Sequence, residues 1–221
     1  MRTSGPAQRT HAPTRALLGA ASLLGLLLVE HGAGADEAGW RLTLTRDGVT
    51  VYQRPMNGSR IDEVRAVAVF ELPAPAVLAV LADLEAYPRF WPPTVAVRRL
   101  KGSGSSRWYY VEIAPSVVAR RFYCVHAVQA QEAGGVLRSG WTLDNALCPE
   151  SQPGMVRIED NAGGWTLTPL GDGRTEVVYQ AHTDPGGNIP AWMVNSLTAR
   201  ALPETFAHLR KEVVRGRVAR N

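Results

Sequence analysis

Apolar residues recur along this chain with two different spacings, and each spacing predicts a different kind of secondary structure. The segment 75–87 has the helical spacing, with apolar side chains at i, i+3, i+4 and i+7: Val77, Val80, Leu81 and Leu84. Pro73 and Pro75 stand at its start, and Pro88 ends it because proline disfavours helical backbone in the residue before it. We therefore predict a helix over 75–87.

Most of the remaining chain alternates between apolar and polar residues, which is the spacing of strands. A hairpin is predicted around Asp47-Gly48, between 40–44 and 49–52, and a strand follows over 64–72. Six later extended stretches are separated by turns rich in glycine: 94–100, 107–113, 117–130, 136–143, 155–168 with a bend at Gly163-Gly164, and 174–182. This succession of strands and turns predicts an antiparallel meander.

The last element returns to the helical spacing. From Pro190, which suits the first turn of a helix, the pattern extends to Arg215. Pro203 lies inside this run, and we expect it to kink the helix because proline lacks a backbone N–H. No repeat or linker divides the strands from this helix. The chain after its first segment is therefore predicted to form one domain of the α+β class.

The first 35 residues differ in composition from the rest. Residues 1–15 carry three arginines and no acidic residue, an apolar run of 14 residues follows over 16–29, and Ala33-Gly34-Ala35 matches a cleavage site. This order is typical of a secretory signal peptide, since a membrane span needs about 20 apolar residues. We predict a signal peptide over 1–35, a mature domain over 36–221, and a periplasmic or secreted location. An uncleaved N-terminal anchor is the alternative.

The charge of the mature domain excludes one class of partner. The whole chain has a formal net charge of +4, from 24 basic and 20 acidic residues. Cleavage after Ala35 would remove three arginines and Glu30, which lowers the net charge to +2. The remaining basic residues are scattered, apart from a basic tail over 210–220. A nucleic-acid site needs a concentrated stripe of positive charge, so we expect no nucleic-acid partner.

The sequence contains no catalytic or metal-binding motif. His126, His182 and His208 stand apart without the spacing of metal ligands. No serine lies in a nucleophile elbow, and neither cysteine has a histidine beside it in the sequence. We therefore predict no catalytic residue, no metal and no cofactor, although residues distant in sequence can still meet in space.

The two cysteines, Cys124 and Cys148, lie on either side of the predicted turn at Gly134-Gly135. In an oxidising compartment they could form a disulfide worth about 2–4 kcal/mol. Symmetry about the turn instead places Cys124 opposite Asn145, three residues before Cys148, so that pairing would require a bulge. The sequence leaves both a disulfide and two free thiols open.

Several short motifs occur in a fixed order along the chain. These motifs are Asp47-Gly48-Val49-x-Val51-Tyr52-x-Arg54, Pro115 five residues before Arg120, Val156-Arg157, Gly164-Trp165-x-Leu167-x-Pro169, Asp184-Pro185-Gly186-Gly187-x-Ile189-Pro190-x-Trp192-x-x-Asn195, and His208-Leu209-Arg210. The ordered set resembles the START domains, the StAR-related lipid-transfer family. The resemblance extends over residues 40–214 and identifies the chain as similar to an exported bacterial member.

The resemblance implies a helix-grip fold, in which a curved antiparallel sheet wraps around the long C-terminal helix and encloses a hydrophobic cavity. It implies that one lipid is bound there and transferred between membranes without covalent chemistry. Family members often carry an Arg-Asp pair where this chain has Arg120-Arg121, so we expect head-group recognition to differ. Phospholipid, sterol or hopanoid, quinone and fatty acid all remain possible ligands. We expect a monomer that contacts a membrane surface transiently.

Strand alternation and the helix face select the residues that we expect to line the cavity. The apolar candidates are Tyr109, Val111, Ile113, Leu137, Trp141 and Leu143 from the strands, and Val194, Leu197, Thr198, Ala201 and Leu202 from the helix. Arg120 and Arg157 are candidates for binding a phosphate or carboxylate. Trp91 and Trp192 are placed at the tunnel mouth. The alternative for these positions is ordinary packing, a salt bridge or a solvated sheet edge.

Two other functions remain compatible with the sequence. Related helix-grip proteins include polyketide cyclases, which act on a bound ring. A domain with a filled core would instead be a partner-binding module. A continuous cavity of several hundred Å³ separates the first two functions from the third.

Overall fold

The computed structural model describes residues 39–116 and 118–218, so the predicted signal peptide lies outside the described residues. The strands are β1 (Arg41–Arg46), β2 (Val49–Arg54), β3 (Glu63–Phe70), β4 (Thr94–Ser103), β5 (Ser106–Ile113), β6 (Arg120–Gln131), β7 (Leu137–Leu143), β8 (Met155–Arg157), β9 (Asp160–Gly171) and β10 (Arg174–Asp184). The α-helices are α1 (Ala74–Leu81) and α2 (Ala191–Val218). Short 3₁₀ helices cover Leu84–Arg89, Ala133–Gly135 and Asn145–Leu147.

The described strands form one sheet in the order β1-β2-β3-β10-β9-β7-β6-β5-β4. All neighbours in this order are antiparallel, while the short β8 pairs in parallel with the start of β6. The sheet is not closed, because β1 and β4 are its two ends. The predicted meander and the α+β class are confirmed.

The N-terminal hairpin follows directly from its turn sequence. Asp47 and Gly48 both have positive φ, at 53° and 73°. Two consecutive residues of this kind form the primed turn whose twist matches that of paired strands. The turn brings Val49 and Val51 of β2 onto the buried face of the sheet.

The main core lies between the sheet and the second half of α2. Leu202, Phe206, Leu209 and Val213 are buried at the spacing of one helix face. The Phe206 ring meets the Phe70 ring of β3 edge-on, with centroids 6.1 Å apart. Helix α1 packs against the same cluster, because Val77 and Leu81 are fully buried there.

The predicted helix over 75–87 is shorter in the structure than the pattern suggested. Helix α1 ends at Leu81, and Asp83 leaves the helical region with φ −93° and ψ 73°. A 3₁₀ helix that contains Pro88 then continues the chain to Arg89. The Tyr87 hydroxyl donates a hydrogen bond of 3.0 Å to the Leu81 carbonyl, which has no partner within the helix.

The predicted strand over 155–168 was also wrong, because the break falls elsewhere. It lies between β8 and β9, where Ile158 is fully buried and its N–H donates to the Phe122 carbonyl at 3.0 Å. Gly163 and Gly164 lie inside β9, paired on both sides. A Cβ at Gly163 would come within 2.7 Å of Cζ2 of Trp141. This glycine therefore gives the indole room instead of bending the strand.

The structure joins Cys124 and Cys148 in a disulfide, with Cα atoms 5.7 Å apart. No bulge is needed, which corrects the expectation from turn symmetry. The Asn145 side chain does stand opposite Cys124, whose N–H donates to its Oδ1 at 3.0 Å. The 3₁₀ turn over Asn145–Leu147 then returns the chain to Cys124 within three residues.

Helix α2 runs through Pro203 without interruption. Side chains bind the carbonyl groups nearby: Thr205 donates to the Ala201 carbonyl at 3.0 Å and Arg46 donates to that of Arg200 at 3.1 Å. Within 39–116 and 118–218, no helix combines the length and apolar character needed to cross a membrane.

Candidate functional site

A mostly apolar cavity of about 570 Å³ lies between the first half of α2 and the loops at one end of the sheet. Its walls come from Pro92 and Pro93 before β4, from Ile113 at the end of β5, and from Met193, Val194, Leu197 and Ala201 of α2. The volume falls within the range of about 300–1,000 Å³ that is typical of small-molecule sites. We call this space the outer cavity.

The loop before α2 explains how the sequence builds one wall of the outer cavity. Asp184 accepts a hydrogen bond of 2.9 Å from the Gly186 N–H, and both Gly186 and Gly187 have positive φ. Glycine suits these positions because it has no Cβ to strain. The turn directs the carbonyl groups of Pro185 and Gly186 towards Arg121.

Arg121 is the charged residue that lines the outer cavity among the described residues. It is only 2% exposed. Its guanidinium donates to the carbonyl oxygens of Pro185 at 3.3 Å, Gly186 at 3.5 Å, and Ala119. Burial lowers the pKa of Arg121, but an arginine remains protonated at physiological pH. Within the described residues it forms no ion pair with a carboxylate.

A smaller space of about 100 Å³ adjoins the outer cavity, and Thr183 lines both. We call it the inner chamber. Its aromatic wall brings together rings from one loop and three strands: Trp91, Trp141, Trp165 and Tyr179. The Tyr179 ring lies 4.8 Å from Trp165, 5.8 Å from Trp91 and 6.0 Å from Trp141, measured between centroids.

Polar groups line the other side of the inner chamber. Asn161 is 4% exposed, and its Oδ1 accepts hydrogen bonds from Trp141 Nε1 at 2.9 Å and from the Thr183 hydroxyl at 3.1 Å. Burial raises the pKa of Tyr123 to about 12, opposed by a hydrogen bond with Asn161. Burial also raises the pKa of Tyr179. Both hydroxyls therefore remain protonated at physiological pH.

The structure brings together only part of the predicted apolar lining. Ile113, Val194, Leu197, Thr198 and Ala201 line the outer cavity. Val111 and Trp141 line the inner chamber. The remaining candidates lie outside both spaces: Leu137 and Leu202 in the main core, Tyr109 in a cluster with Val125, and Leu143 at the end of β7.

Neither predicted arginine lines a cavity. Arg120 is exposed, and Arg157 pairs with Glu159 at 2.7 Å. The assignment to Arg120 was wrong because Arg121, not Arg120, lies on the inward face of β6. Arg121 pairs with Ile113 across the two strands, and directly opposed residues share a face of the sheet. The inward assignment of Ile113 would have identified Arg121 if the register had been known.

The two predicted mouth tryptophans occupy different environments. Trp91 packs inside, where its ring stacks on Tyr87 at 5.7 Å and meets Trp165 edge-on at 5.4 Å. Its placement at the mouth is therefore corrected. Trp192 is 70% exposed and borders an apolar surface groove with Ile189, Met193 and Leu197. Ile189, Met193 and Leu197 also line the outer cavity, so this groove is its rim.

Comparison with known proteins identifies this arrangement of sheet, helix and cavity. The model of the START domain matches residues 27–216, which is most of the chain. The chain therefore belongs to the START domain family, a family known for lipid binding and transfer.

Individual relatives agree with that assignment. An uncharacterized protein of Pseudomonas aeruginosa is 31% identical over 172 residues, 77% of this chain and 85% of that protein. The mouse phosphatidylcholine transfer protein is 25% identical over 176 residues, 77% of this chain and 80% of that protein. A crystal structure of the StAR-related lipid transfer protein of Xanthomonas axonopodis, with 31% identity, covers 79% of this chain and 98% of its own, with a TM-score of 0.72.

The fold is shared with more distant structures as well. The human StAR-related lipid transfer protein 5 has a TM-score of 0.75 over 83% of this chain and 90% of its own, with 21% identity. The helix-grip architecture is thereby confirmed.

Proposed function

We propose that this protein binds one lipid non-covalently in the outer cavity and catalyses no reaction on it. The observation that carries the proposal is the cavity of about 570 Å³ beside α2, walled by apolar side chains and loops. Burial recovers about 0.8 kcal/mol per CH₂ group, so a lipid chain can be held here without a covalent bond. The similarity of this chain to proteins of mouse and Xanthomonas axonopodis that are named as lipid transfer proteins supports the proposal.

Arg121 is the group that we expect to bind the polar part of the lipid. A guanidinium has five N–H groups, and the three carbonyl contacts leave two of them available. Those carbonyl groups carry no net charge, so the buried cation still lacks a compensating anion among residues 39–116 and 118–218. A phosphate or carboxylate would supply one through paired, charge-assisted hydrogen bonds. Phospholipid and fatty acid are favoured on this basis over an uncharged quinone.

The test is lipid uptake by the purified domain. After incubation with liposomes, native mass spectrometry should find one lipid per protein, and solvent extraction should return that lipid unchanged. Ala201→Trp would fill the outer cavity and should abolish uptake. Ala207→Trp, an exposed position on the same helix, should leave uptake unchanged. Failure of the native protein to acquire lipid would contradict binding, and recovery of an altered lipid would contradict the absence of catalysis.

The surroundings of the outer cavity support transfer at a membrane surface. One side is the apolar rim around Trp192. On the other side, a second groove that shares Pro92 and Pro93 with the cavity is bordered by Arg89, Lys211 and Arg215. Glu212 pairs with both arginines, at 3.4 Å and 2.6 Å, which leaves a net positive charge.

Binding to vesicles therefore tests whether the apolar rim and the basic groove contact a membrane. It should be stronger when the vesicles contain phosphatidylglycerol than when they contain phosphatidylcholine alone, and it should weaken with salt. Equal binding to both kinds of vesicle would contradict a role for the basic groove.

The proposal places this binding outside the cytoplasm, as the predicted signal peptide suggests, and assigns it to a monomer. The disulfide between Cys124 and Cys148 supports export, because such bonds persist in oxidising compartments. Fractionation of cells, with a thiol assay on the protein recovered, tests this part. A cytoplasmic protein with two free thiols would contradict it.

A further inference from the structure

We propose that the inner chamber binds a neutral hydrogen-bonding group, a hydroxyl or carbonyl, at the end of the lipid that enters first. The inference rests on the proposed function and narrows its ligand class. It assigns to the protein a lipid that is polar at both ends, with an anionic group at Arg121 and an uncharged polar group in the inner chamber.

The first step concerns Tyr179, which projects from the centre of the sheet into the chamber. Its ring is fixed by Trp91, Trp141 and Trp165, yet its hydroxyl makes no hydrogen bond to another described residue. A buried polar group without a partner destabilises a protein. A hydrocarbon end placed here would leave the hydroxyl buried without a partner, whereas an oxygen atom of the ligand would accept a hydrogen bond from it.

The second step concerns Asn161, Trp141 and Thr183, whose side chains already form hydrogen bonds with one another. Asn161 Oδ1 accepts from both Trp141 and Thr183, and these two hydrogen bonds occupy its two lone pairs. The Asn161 side chain is therefore a fixed part of the wall. The Tyr179 hydroxyl, which has no hydrogen bond of its own to a described residue, is open to a ligand, and the hydroxyls of Tyr123, Ser139 and Thr94 belong to residues that line the same chamber.

The third step explains why the bound group is neutral. None of the described residues that line the chamber carries a formal charge at physiological pH, since Tyr123 and Tyr179 are held protonated by burial. A carboxylate or ammonium group would be buried here without an opposite charge, which is strongly unfavourable. The lipid therefore enters with its neutral end first and leaves its anionic end near Arg121.

The experiment compares fatty acids that differ in one oxygen atom. Binding of hexadecanoic acid and 16-hydroxyhexadecanoic acid is measured by calorimetry, together with the matched pairs of 10, 12 and 14 carbons. For at least one length, the native protein should bind the hydroxy acid more tightly, by roughly 2- to 12-fold, the range of one net hydrogen bond. Tyr179→Phe keeps the ring contacts and should remove this preference.

Tyr109→Phe is the matched control, because it removes a buried tyrosine hydroxyl outside the chamber. It should keep the preference of the native protein, and thermal unfolding would verify that both variants are folded. A preference for the methyl-ended acid at every length would contradict the inference and leave lipid binding intact. A preference that persists in Tyr179→Phe would also contradict it. If neither acid binds at any length, the binding of an anionic lipid fails, and this inference fails with it.

Discussion

The two halves of α2 both carry apolar side chains, but these side chains lie in opposite environments. In the second half, Phe206, Leu209 and Val213 are buried in the main core. In the first half, Trp192 is 70% exposed and Leu197 is 52% exposed, beside a cavity that the sheet does not fill. A contiguous apolar surface left open in this way is the mark of a binding site. One helix thus stabilises the domain with one end and forms the ligand wall with the other.

Pro203 stands at the boundary between the two halves. It lacks the N–H that would bind the Ala199 carbonyl, so the continuous helix is short of one backbone hydrogen bond at this point. Thr205 and Arg46 donate hydrogen bonds to the carbonyl groups of Ala201 and Arg200, which lie just before Pro203 in the helix.

The largest effect is expected from Phe206→Ala in the core half. The ring is 0% exposed and contacts Phe70 and Trp165, with centroids 6.1 Å and 5.5 Å away. Its removal leaves a cavity in a packed core, which should lower the free energy of unfolding by about 3–5 kcal/mol. Urea unfolding measures this quantity. A loss below about 1 kcal/mol would show that the second half of α2 is not the core element.

The second-largest effect is expected on the affinity for lipid, from the substitution Arg121→Met. Loss of a charge-assisted hydrogen bond is worth about 1.5–3 kcal/mol, so the affinity for hexadecanoate should fall roughly 10- to 150-fold. The free energy of unfolding should change little, because removal of a buried charge without a carboxylate partner offsets the loss of the hydrogen bonds to three carbonyl groups. Arg120→Met is the matched control on the neighbouring, exposed residue and should bind like the native protein. Equal losses in both variants would contradict the assignment to Arg121.

The contrast between Arg120 and Arg121 shows where the sequence stops being informative. Alternation predicted that β6 is a strand, but its parity depends on the register with β5, which pairs Arg121 with Ile113. A shift of one residue moves every side chain to the other face. The succession of strands, the hairpin at Asp47-Gly48 and the long helix depended on local patterns and were therefore predictable, whereas the helix-grip architecture was predicted from the resemblance to START domains.

Irregular segments were the other source of error. Trp91 lies in a loop, where no period indicates direction, and its inward position depends on stacking with Tyr87. Cys148 reaches Cys124 through a 3₁₀ turn of three residues that no hydrophobic pattern marks. The inner chamber was missed for a related reason, because Asn161 and Tyr179 lie on different strands and meet only once the sheet is formed.

A smaller effect, on binding to membranes, is expected from Trp192→Ala at the apolar rim. The exposed indole has an apolar body and a polar N–H, which suits the interface of a bilayer. Its loss should weaken binding to phosphatidylglycerol vesicles roughly 5- to 10-fold, which corresponds to about 1–1.4 kcal/mol. Co-sedimentation with vesicles measures the change. Leu42→Ala, another largely exposed apolar side chain but on edge strand β1, should bind vesicles normally. A similar loss in that variant would indicate nonspecific adsorption.

The smallest effect is expected on the free energy of unfolding, from Leu197→Ala. This substitution compares the two halves of α2 directly. Because half of this side chain is exposed, the free energy of unfolding should fall by less than about 1 kcal/mol. The same substitution at the fully buried Leu209 should lower it by about 2–5 kcal/mol. Hexadecanoate affinity should show the reverse order, with a loss in Leu197→Ala and little change in folded Leu209→Ala. Equal stability losses at the two positions would mean that the first half of α2 is packed as tightly as the second, and the outer cavity would then be too small for a lipid.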